Sequence, residues 1–420
     1  MKRLLLSSGL ILACAATAAE AQPVVQVGGE VSTLGVAFPN QDVTDLRTRF
    51  SVDATADPAP WLRLKLDVEA ETLLADRGGR VTDAIVRTRE AWVEWRGNAG
   101  DLRVGYGTVI WGRLDEIMPS DVLNPIDSAR YFLEGRAEAR LPIAFARGRV
   151  FLTEATSIEG IISMPGRRGR FDGLDEPTSP FNLTRDLVLP AALPGSIDRR
   201  EPAFAANALQ FGGRVTSTIG RVDVSVSGYR GAENFGVLSF EPALPAPPSL
   251  TVVGSLVERY PRFTMIAADA ETVVGPWAIR AETAYVPDRT IPTVAGSAEG
   301  GSIDAGVGVD RSAGDYRLFT SVVWHRDWAD VPADSTNDDL SLITSVERRL
   351  ARERYLIRVF GVVNPIDRSG FARLLLSWSV RDNVALEASG GLLTGRSEST
   401  DTLSRFRDRD FAFVRARWSF

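Results

Sequence analysis

From about residue 24 to the C-terminus, apolar and polar positions alternate in segments of about ten residues or slightly more, many bounded by glycine, proline, asparagine or aspartate. The pattern is clearest in 61–72, where Leu62, Leu64, Leu66, Val68 and Ala70 interleave with Arg63, Lys65, Asp67, Glu69 and Glu71. A strand sends successive side chains to opposite faces, so this segment has one face suited to lipid and one that must meet water. The division recurs as Val222, Val224 and Val226 against Asp223, Ser225 and Ser227, and as Ile303, Ala305, Val307 and Val309 against Asp304, Gly306, Gly308 and Asp310. It recurs again as Trp277, Ile279 and Ala281 against Arg280 and Glu282, and as Leu374, Leu376, Trp378 and Val380 against Arg373, Ser377 and Ser379. Nothing beyond residue 19 is an apolar run long enough for a membrane helix. The pattern predicts an all-β fold, a transmembrane antiparallel β-barrel.

Strands read in this way at about 24–36, 44–57, 60–74, 83–96, 100–112, 143–153, 156–164, 207–219, 220–232, 258–274, 276–286, 301–312, 315–328, 339–349, 353–363, 368–380, 383–395 and 407–420 number eighteen, with sixteen as the lower bound. Tight joints near Pro58, Asn98, Ala155, Gly220, Gly275, Gly314, Arg352 and Asp382 alternate with longer ones, so short periplasmic turns and long outer loops are expected. The last ten residues, FAFVRARWSF, set Ala412, Val414, Ala416, Trp418 and Phe420 opposite Arg415 and Arg417. Their close on an aromatic residue resembles the C-terminal strand by which outer-membrane barrels are recognised for assembly. A soluble β-sandwich also has half-polar strands, but strand number, aromatic residues near strand ends and this terminal strand together favour the barrel.

One stretch breaks the alternation. Residues 100–112 read as a strand with Arg103, Gly105 and Gly107 on one face, and the two glycines leave room beside that wall. Beyond it, Asp127 is placed to cap a helix over 128–140 that Pro142 stops, with Arg130 and Glu134 one turn apart as an opposite-charge pair. Residues 113–142 therefore read as a helical loop inserted in the lumen, carrying Arg113, Asp115, Glu116, Asp121, Asp127, Arg130, Glu134, Arg136, Glu138 and Arg140 to the narrowest point. Two further long connections stand out. Residues 165–206, broken by glycine and proline, read as an outer loop without a part in the lumen, and 233–257 as a proline-rich apolar loop.

Lys2 and Arg3 before an apolar run, then Ala19-Glu20-Ala21, read as a signal peptide over 1–21 cleaved near Ala21. A lipid anchor at Cys14 is the weaker reading. Cleavage removes the one cysteine, and with it disulfides and any thiol chemistry. The formal charge of -6 becomes slightly more negative, and the dispersed arginines give no footprint for nucleic acid. The one histidine, His325, shares a strand face with Asp327, but without a serine in a nucleophile context it reads as a polar neighbour of an interfacial aromatic girdle, so no enzyme is expected. Carboxylate pairs such as Asp67 with Glu69 or Asp338 with Asp339 read as lumen or loop charge rather than a metal site, and no cofactor is expected.

Trp111-Gly112-Arg113-Leu114-Asp115-Glu116, then Asn124-Pro125-Ile126-Asp127, then Arg140-Leu141-Pro142, resembles the hallmark stretch of an uncharacterised Gram-negative outer-membrane family of the domain-of-unknown-function type. The match is strong over about 103–164. The resemblance implies a porin-like monomeric barrel in the outer membrane, in families often associated with inner-membrane export pumps and hydrophobic compounds; it carries over no site residues. A second Asn-Pro-Ile-Asp at 364–367 reads as a turn. The function expected is a channel for small solutes, partly occluded by the insert, with outer-membrane lipid and the barrel assembly machinery as partners. Its lining candidates include Arg63, Lys65, Asp67, Glu69, Glu71, Arg103, Arg280, Glu282, Asp304, Asp310, Arg373, Glu387, Arg415 and Arg417, and their mixed signs argue against a simple one-sign filter. The alternatives are a transporter of hydrophobic or lipid-like molecules working with an export pump, and a surface adhesin or receptor.

Overall fold

A computed structural model describes residues 24–164, 167–185, 197–201, 208–242, 254–293, 296–330, 336–399 and 401–420. The expected signal peptide lies outside them. In chain order the strands are β1 (Val24–Phe38), β2 (Val43–Ala59), β3 (Leu62–Asp76), β4 (Arg80–Gly97), β5 (Gly100–Gly107), β6 (Ile143–Phe151), β7 (Thr156–Ser163), β8 (Ile197–Arg200), β9 (Gln210–Ile219), β10 (Val222–Ala232), β11 (Val237–Pro242), β12 (Gly254–Arg259), β13 (Arg262–Val274), β14 (Trp277–Thr293), β15 (Gly296–Ala313), β16 (Tyr316–Ala329), β17 (Thr336–Leu350), β18 (Tyr355–Asn364), β19 (Ser369–Arg381), β20 (Val384–Thr394) and β21 (Phe411–Ser419). All but β8, β11 and β12 form one 18-stranded antiparallel sheet. It closes where β1 meets β21, from Glu30 opposite Ser419 to Ala37 opposite Ala412. Closure leaves no free edge along that seam, which is what a strand protein needs in lipid.

The two faces are those the alternation predicts. In β3, Leu64 and Leu66 point outward and are exposed, Leu66 by 49%, whereas Glu69 and Glu71 point inward and are buried, Glu69 completely. Trp61, Trp95, Tyr316, Tyr355, Trp378, Trp418 and Phe420 lie exposed near the turn ends of their strands, the position of an interfacial aromatic girdle. We expect Leu66→Arg to cost ~2–4 kcal/mol and to impair assembly. Lys65, which faces inward and pairs with Asp53 at 2.7 Å, should tolerate leucine with little loss. Folded yield in liposomes, read by heat-modifiable gel mobility, checks both; equal yields would reverse the faces.

Three boundaries differ from expectation for identifiable reasons. The β2–β3 and β14–β15 ladders each slip register, between Ala56 and Ala59 and between Val286 and Arg289, so Pro58 and Pro287 sit at irregularities inside strands that proline seemed to end. Strand β14 therefore runs on to Thr293. Residues 258 and 259 do not begin the strand expected over 258–274; they end β12, which pairs with β11 and, in parallel, with β8 in a separate 3-stranded sheet at the loop end, within the stretch expected as a loop over 233–257. Finally, β5 stops at Gly107 rather than 112. The Asn364 turn is as expected: its Oδ1 accepts the amides of Ile366 and Asp367.

Candidate functional site

The insert leaves the wall at the top of β5 and returns at β6, and its motif residues tie this neck. Asn124 Oδ1 accepts the Val109 amide at 2.9 Å while its Nδ2 donates to the Leu141 carbonyl at 2.9 Å. The Leu141 amide donates to Pro125 O, and the Asp127 amide to Ala139 O. The Asp127 side chain caps α1 (Ser128–Glu134) by accepting the Arg130 amide at 3.0 Å. Trp111 is buried, its Nε1–H donating to Glu159 at 2.8 Å and its ring edge-on to Tyr229. Gly112 has φ +94°, and a β-carbon there would meet the Glu282 carboxylate. That closeness lets Glu282 accept the amides of Arg113, Leu114 and Ser120 and the Ser120 hydroxyl, at 2.6–3.2 Å. The sequence placed Glu282 on the inner wall but gave no sign that it cradles the insert's backbone.

The insert's charges are largely paired. They are spent on the wall and on one another. Arg113 binds Asp269 and Glu271 of β13, Asp115 meets Arg280 of β14 at 3.2 Å, and Glu116 meets Arg358 of β18 at 3.3 Å. Arg136 and Arg140 share Asp121, and Glu138 pairs with Arg89 of β4. Arg130 and Glu134 do not pair with each other: Arg130 binds Glu69 and Glu71, and Glu134 binds Arg49 and Arg415. Buried carboxylates need such partners, and the wall and the insert supply them to each other. The predicted helix 128–140 is also divided, because Gly135 at φ +104°, ψ +172° ends α1 before α2 (Arg136–Ala139) begins. Below the insert, wall pairs remain partly open to water: Arg63 with Asp57, Lys65 with Asp53, and Arg103 with Glu94. Asp67 lies 3.9 Å from Arg89, Arg373 donates to Phe132 O, Glu387 binds Arg415 and Arg417, and Asp310 binds Arg317. His325 is held between Asp304 and Asp327 on the inner wall.

An apolar core joins the insert to the inward face of the wall. Phe132 and Leu133 of α1 pack with inward-facing Phe360, Phe371, Phe411 and Phe413. Residues 167–185 join them, so the expected outer loop has a described part inside the lumen. Phe181 stacks on Phe132 at 5.4 Å and 7°, Asp172 binds Arg47 and Arg77, and the carbonyls of Arg170 and Phe171 accept the first amides of α1. The repeated glycines and prolines hid this, since the anchors Asp172, Ser179 and Phe181 are single residues without a period. A niche of about 290 Å³ remains between the insert and β16–β18, bordered by Asp115, Glu116, Arg136, Arg140, Arg317 and Arg358.

Burial alone would raise the Glu134 carboxyl, but Arg49, with Arg415 and Arg47, outweighs it and holds Glu134 down to about 2. Burial, reinforced by the Asp172 charge, pushes Asp127 the other way, well above its ordinary value. A depressed folded pKa means that Glu134 favours the docked insert above its undocked value of about 4.3, and that this contribution is lost as pH falls from there through about 2. A polarity-sensitive dye on Ala137→Cys should report undocking in that acid window. The same dye in a Glu134→Gln background should show a weaker but flatter response; an identical acid transition in both would assign it to another group.

The sequence profile of a family described as "Protein of unknown function (DUF1302)" matches residues 69–326, more than half of the chain. The chain belongs to that family. The DUF1302 match includes the whole insert, its cradle Glu282 and the Trp111-Gly112 and Asn124-Pro125-Ile126-Asp127 stretch, bearing out the resemblance read from those residues. No curated protein matches the sequence. Among solved structures, Pseudomonas aeruginosa OccK5 (OpdH) is similar at 9% identity and TM-score 0.51, over 95% of this chain and 97% of that one. Acinetobacter baumannii OccAB3 is similar at 8% identity and TM-score 0.51, over 95% and 99%. An anion-selective porin from Comamonas acidovorans aligns over 95% of this chain and 100% of its own at 12% identity, with a TM-score of 0.42. At these identities the likeness is one of fold: this DUF1302 chain has a porin-like β-barrel fold.

Proposed function

We propose that the chain is an outer-membrane conduit for small solutes, narrowed by residues 108–142 and 167–185, and that it acts by passage rather than by chemistry. The observation that carries this reading is the polar niche between the insert and β16–β18, bordered by both signs of charge. Because each arginine there has an acidic neighbour, selectivity between small cations and anions is expected to be weak. The runner-up, passage of hydrophobic molecules toward or from an export pump, would have to use the phenylalanine cluster, which is closed around Phe132 and Phe181. Trp418 and Phe420, exposed on the outer face with ring centroids 5.2 Å apart, are proposed as the residues read by the assembly machinery. Purified protein in planar bilayers should give a steady ohmic conductance. A folded barrel that carries no current would favour an adhesin or receptor.

A further inference from the structure

At the loop end, directly above the phenylalanine core, lies a second niche of about 770 Å³. Its charged side comes from one short segment of the β20–β21 connection, which brings Arg405, Arg407 and Arg409 to it with Asp408 as the acidic member. Asp408 does not neutralise the group: its side chain is 66% exposed and lies 3.6 Å from Arg407. Arg409 is engaged by Gln41, whereas the Arg405 guanidinium is exposed and without a hydrogen-bond partner among the described residues. Leu183, Val237 and Leu238 supply apolar lining. Guanidinium groups and hydrocarbon in one lining, over a volume that holds a small organic molecule, define what fits: an anionic head with an apolar body.

We propose that this niche binds amphipathic monocarboxylates, with Arg405 and Arg407 gripping the carboxylate and Leu183, Val237 and Leu238 covering the aryl or alkyl part. A bare inorganic anion would leave the apolar side unused, and a neutral apolar molecule would leave the guanidinium surplus unmet. The site extends the conduit reading, since a ligand bound here sits where solute enters, but binding itself does not require that the barrel conduct.

The test is equilibrium dialysis of radiolabelled 4-phenylbutyrate against the full chain in phosphatidylcholine nanodiscs, with empty nanodiscs as the blank. Saturable binding at one site is expected. Unlabelled 4-phenylbutyrate should displace the label, while acetate and 4-phenylbutan-1-ol should each compete about tenfold more weakly or worse. The Arg405→Gln, Arg407→Gln double variant should lose about tenfold in affinity, and the Lys, Lys double variant should retain most of it. Both positions lie at the exposed end, and heat-modifiable mobility verifies that each barrel is folded. Absent saturable binding, an unchanged Gln, Gln variant, or equal competition by the alcohol would each overturn the proposal. Normal binding by a barrel that carries no current in planar bilayers would leave the site standing and remove the conduit.

Discussion

Replacing 113–140 by a short Gly-Ser turn is expected to leave the barrel assembled and to raise its single-channel conductance severalfold. Strands β5 and β6 are antiparallel neighbours whose tops meet at Gly107 opposite Ile143, so a short loop can join them. The wall ladder itself does not depend on the insert. What the insert supplies is lumen filling, through Leu114, Phe132 and Leu133 against inward-facing aromatic and aliphatic residues, and partners for Glu69, Glu71 and Glu282. With the whole insert gone, water enters and hydrates these carboxylates, so none is left buried and unpaired. A single truncation acts on the packed state instead: Arg130→Ala removes one of the partners of Glu69 and Glu71, which stay buried with Arg49 and Arg87 still beside them, so its cost is expected to fall below the ~3–5 kcal/mol of a buried charge left without a partner. Unchanged conductance in a deletion variant shown to be folded would mean that 113–140 does not obstruct the passage.

The second large effect is expected at Gly105. From the sequence, Gly105 and Gly107 read as a thinned wall beside which the insert lies, and Gly105→Trp should displace the insert while the fold is kept. The structure gives the two glycines different work. Gly105 stands opposite Trp92 with φ +150°, and a β-carbon there would overlap the Ala91 carbonyl oxygen and come within 2.5 Å of Trp92 Cα. Both are backbone atoms of the partner strand, which cannot yield without opening the β4–β5 ladder. Gly105→Ala should therefore sharply reduce assembly and Gly105→Trp abolish it, whereas Gly107→Ala, whose nearest new neighbours are side-chain atoms of Trp92 and Phe145 at 3.4 and 3.7 Å, should assemble with a modest loss. Equal yields of the two alanine variants in heat-modifiable mobility would show that the close approach at 105 is not limiting.

The wall was legible because period-two alternation reports which face meets lipid, and that depends only on neighbours in sequence. Strand number, the tight turns and the outward Leu62–Ala70 set follow from it. The interior was less legible, since it is built from pairs far apart in the chain. Helix capping by Asp127 is local and was visible; the docking of Glu134 on Arg49 and Arg415 is not. By distance along the helix Arg130 is matched to Glu134, the nearest opposite charge, whereas in the fold two wall carboxylates, Glu69 and Glu71, take Arg130 instead. The inward phenylalanines of β18, β19 and β21 were hidden for a related reason: in a strand whose lumen face is expected to be polar, an apolar inward residue reads as noise unless a plug is there to cover it.

The cradle on Glu282 also sets an order of events. The insert leaves the wall after β5, yet the carboxylate that receives its amides arrives 169 and 162 residues later in the chain, and the Arg415 that grips Glu134 comes 281 residues later. Contacts of such separation form late, because the intervening chain must be in place before they are rewarded. The insert's holds on Arg49, Glu69 and Glu71 therefore lie on strands already behind it in the chain, whereas those on Glu282 and Arg415 wait for strands still to come. An insert whose last hold comes from β21 is expected to be least firmly seated in a barrel that lacks that strand.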